Sequence, residues 1–138
     1  MTSSPGPEDV TNSPLAPVSW GELIEKITIL EIKAVRLDSP AAAANVRKEL
    51  ASLQTVARTL DGNEMLQSLK AQLKMINEAL WQIEDDIRDK EAQKVFDDRF
   101  IELARSVYVT NDKRAAIKRD INALLNSAIV EEKSYKAY

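Results

Sequence analysis

Apolar residues recur every three or four positions along most of this chain, which places them on one face of an α-helix. The first stripe begins beside Ser19 and Glu22, which have the spacing of a helix-capping box. Its members are Trp20, Leu23, Ile27, Leu30, Ala34 and Leu37. Ser39 can cap a second helix with Pro40 at its first position, where no amide donor is needed. The second stripe is Val46, Leu50, Leu53, Ala57 and Leu60.

The strongest periodic pattern lies in the middle of the chain, where spacings of three and four alternate over three heptads, as in a coiled-coil seam. Its members are Leu66, Leu69, Leu73, Ile76, Leu80, Ile83 and Ile87. A helix from Asn63 to Lys90 would be about 40 Å long, which is enough to span a compact molecule of this size. Gly62, just before it, suits the left-handed residue that ends the second helix.

The seam is interrupted after Ile87 and resumes at Phe96. Two alternatives fit this interruption: a turn within residues 90–97, or one helix over residues 63–108 with a phase shift. Since no glycine or proline forces a break there, we favour the shift or a kink.

The remaining segments frame this helical region. Four of the five prolines fall in the first 17 residues, so we predict a flexible leader over 1–18. A helical domain over 19–126 and a tail over 127–138 follow; the tail is expected to dock on the bundle or to cross to another subunit. A last helix is expected to start near Thr110 or Asn111. Because strand signals are missing throughout, the prediction is an all-α protein, an elongated helical bundle or hairpin with a long central coiled-coil-like helix.

Composition narrows the possible chemistry. The 138 residues are 44% hydrophobic with a net charge of -3, which suits one domain with a real core. The absence of cysteine and histidine excludes disulfides, thiolate metal sites and Ser-His-Asp arrangements. Neither a signal peptide nor an 18-residue apolar stretch is present, so we expect a cytoplasmic protein without a membrane span.

Basic residues crowd the predicted start of the last helix. Free amides there, completed by lysine or arginine, could bind phosphate or an acidic partner. The alternative is a capped turn with a solvated basic face. The candidate anion-binding residues are Asn111, Lys113, Arg114 and Lys118. Nucleic acid is not favoured, because no aromatic residues are interleaved with the basic ones.

Acidic residues cluster near the end of the central seam. Asp85 and Asp89 are like charges four positions apart, and with Asp86 they are a candidate Mg²⁺ site, because Mg²⁺ accepts one or two carboxylates plus water. A solvated face or a contact for a basic partner is the alternative. Glu22 and Glu25 have the spacing with which some all-helical nucleotide pyrophosphatases hold Mg²⁺, but the second acidic motif of those enzymes is missing here.

Four segments together resemble a family of small bacterial helical proteins of unknown function: "SWGELIEKITILEIK", "LWQIEDDIR", "FIELARSVYVTNDKRAAIKRDIN" and "IVEEKSY". The resemblance spans residues 18–138. Relatives are associated with genes for glycosyltransferases and surface-polysaccharide assembly. The resemblance therefore implies an all-helical domain in a bacterial cytoplasm, with a protein partner in glycan assembly as one expectation. It implies no reaction and no catalytic residue.

Two functional hypotheses follow. The favoured one is a non-catalytic helical interaction or scaffold protein without a cofactor, and a homodimer, because the unbroken seam from Leu66 to Ile87 and a first helix that is apolar on more than one side offer more apolar surface than one chain can cover. The predicted interface consists of the seven seam residues and Trp81. The alternative is a small Mg²⁺-dependent enzyme, or a binding protein, for a phosphorylated or nucleotide-sugar ligand. Whether the protein is an enzyme stays open at this point.

Overall fold

The structure, a computed structural model, describes residues 12–138 and consists there of four α-helices joined by short connections. The helices are α1 (Trp20–Arg36), α2 (Pro40–Ala57), α3 (Glu64–Gln93) and α4 (Asp98–Leu124), with a 3-10 turn at Arg58–Leu60. No strand occurs among the described residues, so the all-α prediction is confirmed for this part of the chain. Of the predicted leader, residues 1–11 lie outside the described residues, and residues 12–18 are exposed without helix.

Each helix begins where a short polar side chain accepts a hydrogen bond from an amide in the first turn, which satisfies one of the donors that a helix start leaves free. Ser19 accepts from the amide of Glu22 and Ser39 from that of Ala42. The side chains of Asn63 and Asp97 do the same for α3 and α4. The predicted starts at Ser19 and Ser39 are therefore confirmed.

Two helix ends differ from the predictions. Within residues 12–138 no glycine has a positive φ, so the left-handed conformation predicted for Gly62 is wrong. The end of α2 instead tightens into the 3-10 turn at Arg58–Leu60, which reverses the chain without a left-handed residue. The left-handed position lies at Lys94, with φ of 58°.

The interruption after Ile87 is a turn, so the favoured prediction of one phase-shifted helix is wrong. The helix α3 ends at Gln93, and Asp97 caps α4. Lys90 Nζ lies 2.9 Å from Asp97 Oδ2, and this ion pair bridges the reversal. A left-handed lysine costs roughly 1–2 kcal/mol, a cost that the cap and the ion pair offset.

The predicted helix start near Thr110 or Asn111 is also wrong, because α4 runs without a break from Asp98 to Leu124. Asn111 does not act as a cap. Its Oδ1 accepts a hydrogen bond from Arg114 Nη2 at 2.8 Å, an interaction within the helix that leaves the backbone helical. The amides at residues 110–113 therefore belong to the interior of a long helix.

The helices α3 and α4 pack along each other as a hairpin, α1 packs on both of them, and α2 packs on α1. The main core lies where these elements meet. Its buried members are Leu23, Ile24, Ile27, Ala57, Leu66, Leu73 and Ile121. Contacts from Gly21 to Asn122 and from Glu25 to Arg114 show that α1 is antiparallel to α4.

The predicted seam on α3 divides into two classes. Leu66, Leu73 and Leu80 are buried within the single chain, so the prediction that these leucines need a second polypeptide to cover them is wrong. The half-buried members of the seam are Leu69, Ile76, Ile83 and Ile87. In the part of the chain that the structure describes, no helix is long and apolar enough to cross a membrane.

Candidate functional site

A buried carboxylate lies at the centre of the interface between α1 and α4. Glu25 is only 7% exposed, because it projects from the broad apolar face of α1 between Ile24 and Ile27. Lys118 Nζ lies 2.6 Å from Glu25 Oε2, and Arg114 Nη1 lies 3.3 Å from Oε1. Both oxygens of this carboxylate therefore contact a cation, which removes most of the cost of burying the charge.

Lys118 bridges two carboxylates of α1. Its Nζ also lies 2.7 Å from Glu22 Oε2. Burial alone would lower the pKa of Lys118, but the hydrogen bonds and charges of Glu22 and Glu25 outweigh burial and raise this pKa above the ordinary value of 10.5. Lys118 is therefore an ammonium group at neutral pH, a form that binds carboxylates and has no lone pair for nucleophilic attack.

Arg114 is held by two amide side chains in addition to Glu25. It donates to Asn77 Oδ1 of α3 at 3.2 Å and to Asn111 Oδ1 of α4 at 2.8 Å. Asn77 Nδ2 in turn donates to Thr28 Oγ1 at 3.0 Å. These residues form one polar network across three helices, called here the Glu25 network: Glu22, Glu25, Thr28, Asn77, Asn111, Arg114 and Lys118.

The Glu25 network contains two carboxylates and two cations, so it is neutral as a whole. Its hydrogen bonds connect α1, α3 and α4 inside the bundle, where the low dielectric strengthens each of them. This arrangement holds the three helices in one register. It positions the Arg114 guanidinium rigidly, with its remaining surface beside two cavities.

The start of α1 lies unusually close to α4. The Gly21 amide donates to Asn122 Oδ1 at 2.7 Å, and a Cβ at Gly21 would lie 2.8 Å from the Lys118 carbonyl oxygen. Only glycine fits this approach without a shift of backbone. Among the described residues, Asn122 Nδ2 is the one buried side-chain polar atom without a hydrogen-bond partner.

Two cavities share Arg114 and Asn111 in their walls. The smaller, of about 330 Å³, lies beside Trp81 between the second half of α1 and the hairpin, with Glu84 and Asp85 at its edge. The larger, of about 790 Å³, lies between α4 and the extended segment that follows it. Both volumes fall near or within the range of small-molecule sites.

The predicted anion-binding residues are brought together only in part. Asn111, Arg114 and Lys118 all belong to the Glu25 network, whereas Lys113 is exposed outside it. The expected free amides of a helix start are absent, because residues 110–113 lie inside α4. The alternative of a solvated basic face is wrong for Arg114 and Lys118, since both cations form ion pairs with Glu25 of α1.

The predicted metal residues lie on the second half of α3. Asp86 Oδ1 accepts a hydrogen bond from Gln82 Nε2 at 2.8 Å, while Asp85 borders the smaller cavity and Asp89 is exposed. Across residues 12–138, no three acidic side chains converge to hold a metal ion. Glu22 and Glu25, the pair with the pyrophosphatase spacing, are both engaged by Lys118.

Sequence reasoning missed that two basic residues of α4, Arg114 and Lys118, belong to an inward polar stripe of this helix. The spacings of Asn111, Arg114, Lys118 and Asn122 are three, four and four, which place these residues on one helical face. On α1, the corresponding feature of the sequence is Glu25, a carboxylate that lies within an apolar stripe and needs a cation as its partner. Pairing the two signals required knowing that α1 packs against α4, and that is a property of the tertiary fold.

Fold and site together define a four-helix domain whose first and last helices are joined by buried ion pairs. The chain belongs to a family of unknown function, DUF6165, whose model matches residues 16–138. This match includes all four helices and the residues of both cavities. No curated protein and no solved structure matches the chain.

Proposed function

We propose that the protein is a non-catalytic helical interaction protein that self-associates through the far end of the α3–α4 hairpin. This end, called here the hairpin tip, comprises residues 82–107. The helix α1 stops at Arg36, whose guanidinium lies 5.5 Å from the centre of the Trp81 ring. Beyond Trp81, α3 continues for another 12 residues, about 18 Å, and in the part of the chain that the structure describes the helix packed along this stretch is α4.

The observation that carries this proposal is a change in burial along one apolar stripe. Where α1 covers the hairpin, buried and half-buried residues alternate along this stripe, as at Leu73, Ile76 and Leu80. In the hairpin tip this alternation ends, because Ile83 and Ile87 are both half-buried. The tip also exposes Phe96 by 56% and Ile101 by 53%.

A second copy of the hairpin tip is the occupant that fits this surface. The α3 and α4 segments of two tips, packed antiparallel and related by a two-fold axis, would form a four-helix bundle with a coiled-coil-like core. The second copy would cover the hairpin tip in the same way that α1 covers the rest of the hairpin. Covering the surface that Ile83, Ile87 and Phe100 still expose contributes at most on the order of 1 kcal/mol for each side chain.

The charge of the hairpin tip gives this proposal a specific salt dependence. Residues 82–107 contain eight carboxylates and five cations, so two tips repel each other. Salt screens that repulsion. Self-association should therefore strengthen as salt rises, whereas binding of a basic partner protein at the same surface would weaken.

The test is sedimentation of the full chain over a range of concentrations, at about 0.05 M and about 0.5 M salt. The wild type should form a dimer, more tightly at the higher salt. Ile101→Glu should give a monomer, because it adds a charge to the exposed apolar surface. Met75→Glu is the matched control: Met75 is 70% exposed on α3 outside the tip, and this variant should dimerise like the wild type.

A strictly monomeric wild type at every concentration and salt would overturn the proposal, as would a dimer that Ile101→Glu leaves intact. Circular dichroism of each variant shows whether the helices are retained. The bacterial origin, the cytoplasmic location, the partner in glycan assembly and the Mg²⁺-dependent alternative stay predictions from the sequence. We favour the interaction hypothesis over the Mg²⁺-dependent alternative, because that alternative requires the carboxylates of the hairpin tip to converge with those of α1, and among the described residues they do not.

A further inference from the structure

All three tyrosines of the chain line the larger cavity. This cavity, of about 790 Å³, lies between α4 and the extended segment over residues 127–138. Tyr108 comes from α4, while Tyr135 and Tyr138 come from the extended segment. Tyr108 is far along the chain from the other two tyrosines, so its approach to them is a property of the fold.

The extended segment is attached at both of its ends. Near α4, the amide of Trp20 donates to Ser127 Oγ at 3.2 Å, and Ser19 Oγ donates to the Glu131 carboxylate. At the far end, the Tyr138 hydroxyl donates to Asp112 Oδ2 at 2.6 Å. The hydrogen bond between Tyr138 and Asp112 therefore joins the two walls of the cavity, and the contacts with Ser19 and Trp20 hold the other end of the segment against the start of α1.

Positive charge is concentrated in this cavity. Its lining contains four cations, Arg114, Arg119, Lys133 and Lys136, and one carboxylate, Asp112. Because Glu25 neutralises Arg114, the side chains of the lining leave a net charge of +2 within a chain whose net charge is -3. Such a local excess of positive charge attracts anions even though the molecule as a whole is negatively charged.

Three of these cations are available to a ligand. Arg114 is paired with Glu25, but within residues 12–138 no carboxylate forms an ion pair with Arg119, Lys133 or Lys136. All three are exposed. Arginine and lysine both bind phosphate oxygens through charge-assisted hydrogen bonds.

The aromatic rings add a second kind of contact. The rings of Tyr108 and Tyr138 meet edge to face, with centroids 5.1 Å apart. Tyr135 is 82% exposed, and Lys133 Nζ lies 5.8 Å from the centre of its ring. An exposed aromatic ring can stack on the flat ring of a ligand while the neighbouring lysine binds a phosphate of the same ligand.

We infer that this cavity binds a phosphorylated compound with a flat ring, of the nucleoside diphosphate class. Its phosphates contact Arg119, Lys133 and Lys136, and its base stacks on Tyr135. The volume of about 790 Å³ lies within the usual range for ligands of this size. The site is separate from the hairpin tip, so the inference does not depend on self-association.

The experiment is isothermal titration calorimetry of the full chain at low salt, which measures the dissociation constants of UDP, ADP and inorganic pyrophosphate. Both nucleotides should bind more tightly than pyrophosphate. Arg119→Ala and Lys133→Ala should each weaken nucleotide binding about tenfold, the value expected for one charge-assisted hydrogen bond. Tyr135→Ala should weaken binding of the nucleotides and leave that of pyrophosphate unchanged.

Lys94→Ala provides the matched control, because Lys94 is an exposed cation in the turn before α4, away from the cavity. This variant should bind like the wild type. The three cavity substitutions replace exposed side chains, and circular dichroism checks that each variant keeps its helices. The inference is overturned if neither nucleotide binds, if pyrophosphate binds equally well, or if a single-stranded oligonucleotide binds in preference to the mononucleotides.

Discussion

Lys118 Nζ lies 2.6 Å from Glu25 Oε2, in a contact that joins the last helix of the bundle to the first. Their side chains are only 14% and 10% exposed. A buried ion pair adds little stability compared with an apolar pair of the same shape, but the loss of one partner leaves the other charge unpaired. We infer that this pair, with Arg114, holds α1 and α4 in a single register.

Glu25→Gln should lower the free energy of unfolding by about 3 kcal/mol, because it leaves Lys118 and Arg114 without their shared buried carboxylate. Urea unfolding followed by circular dichroism measures this change. Glu22→Gln is the matched control, since the Glu22 side chain is 46% exposed, and it should cost at most about 1 kcal/mol. Equal losses in the two variants would contradict the central role of Glu25.

Gly21→Ala should also destabilise the bundle. The added Cβ would lie 2.8 Å from the Lys118 carbonyl oxygen and 3.0 Å from Asn122 Oδ1, so α1 and α4 would have to separate. We expect a loss of about 1–2 kcal/mol in the free energy of unfolding, after allowing for the higher helix propensity of alanine.

Gly62→Ala is the control for this substitution. A Cβ at Gly62 would have no atom within 4 Å, and its φ is not positive. We therefore expect Gly62→Ala to be neutral or slightly stabilising. Thermal unfolding of the two variants compares them directly, and a Gly21→Ala variant as stable as Gly62→Ala would show that the close approach of α1 to α4 is not required.

The features that sequence predicted correctly depend on neighbours along the chain. The caps at Ser19 and Ser39 and the stripe of α3 depend on residues within a turn or two, where spacing alone decides which groups meet. The turn at Lys94 was one of the two alternatives but not the favoured one, because a left-handed lysine has no sequence signature and glycine, the usual residue at such a position, is absent there.

The candidate site depends on contacts between distant segments, and spacing cannot supply those. The sequence shows that Glu25 is an acid on an apolar stripe and that Arg114 is a base on α4, but it does not show that the two helices pack together. The tyrosine-lined cavity is a further example. It requires the segment after Leu124 to fold back along α4, and the sequence left open whether that segment docks on its own bundle.

Lys94→Gly should stabilise the protein, because Lys94 adopts the left-handed conformation that glycine adopts without steric cost. The gain should be about 0.5–1 kcal/mol, after loss of the exposed contact between Lys94 and Glu91. Lys94→Ala is the control, since it loses the same contact and keeps the strained backbone. If thermal unfolding shows the glycine variant to be no more stable than the alanine variant, the turn differs from the one described.

The contact between Tyr138 and Asp112 should make attachment of the extended segment sensitive to alkaline pH. The hydrogen bond to Asp112, with slight desolvation and the negative charge of that carboxylate, raises the pKa of Tyr138 above its ordinary value of 10.0. A group whose pKa is raised on folding stabilises the folded form below its unfolded pKa, and this contribution is lost as pH rises through the folded pKa. The contact between Tyr138 and Asp112 should therefore persist up to about pH 10 and weaken above it, while the contacts of Ser127 and Glu131 at the other end of the segment remain.

The ultraviolet absorbance of tyrosinate measures this titration, and the difference between the wild type and Tyr138→Phe isolates the signal of Tyr138. Asp112→Ala should lower the pKa of Tyr138, because it removes both the hydrogen-bond acceptor and the negative charge that oppose ionisation. Asp120→Ala, which removes an exposed carboxylate of α4 outside the cavity lining, should leave the titration unchanged. An Asp112→Ala titration that coincides with that of the wild type would mean that Tyr138 does not contact α4, and the wall of the cavity would be lost with it.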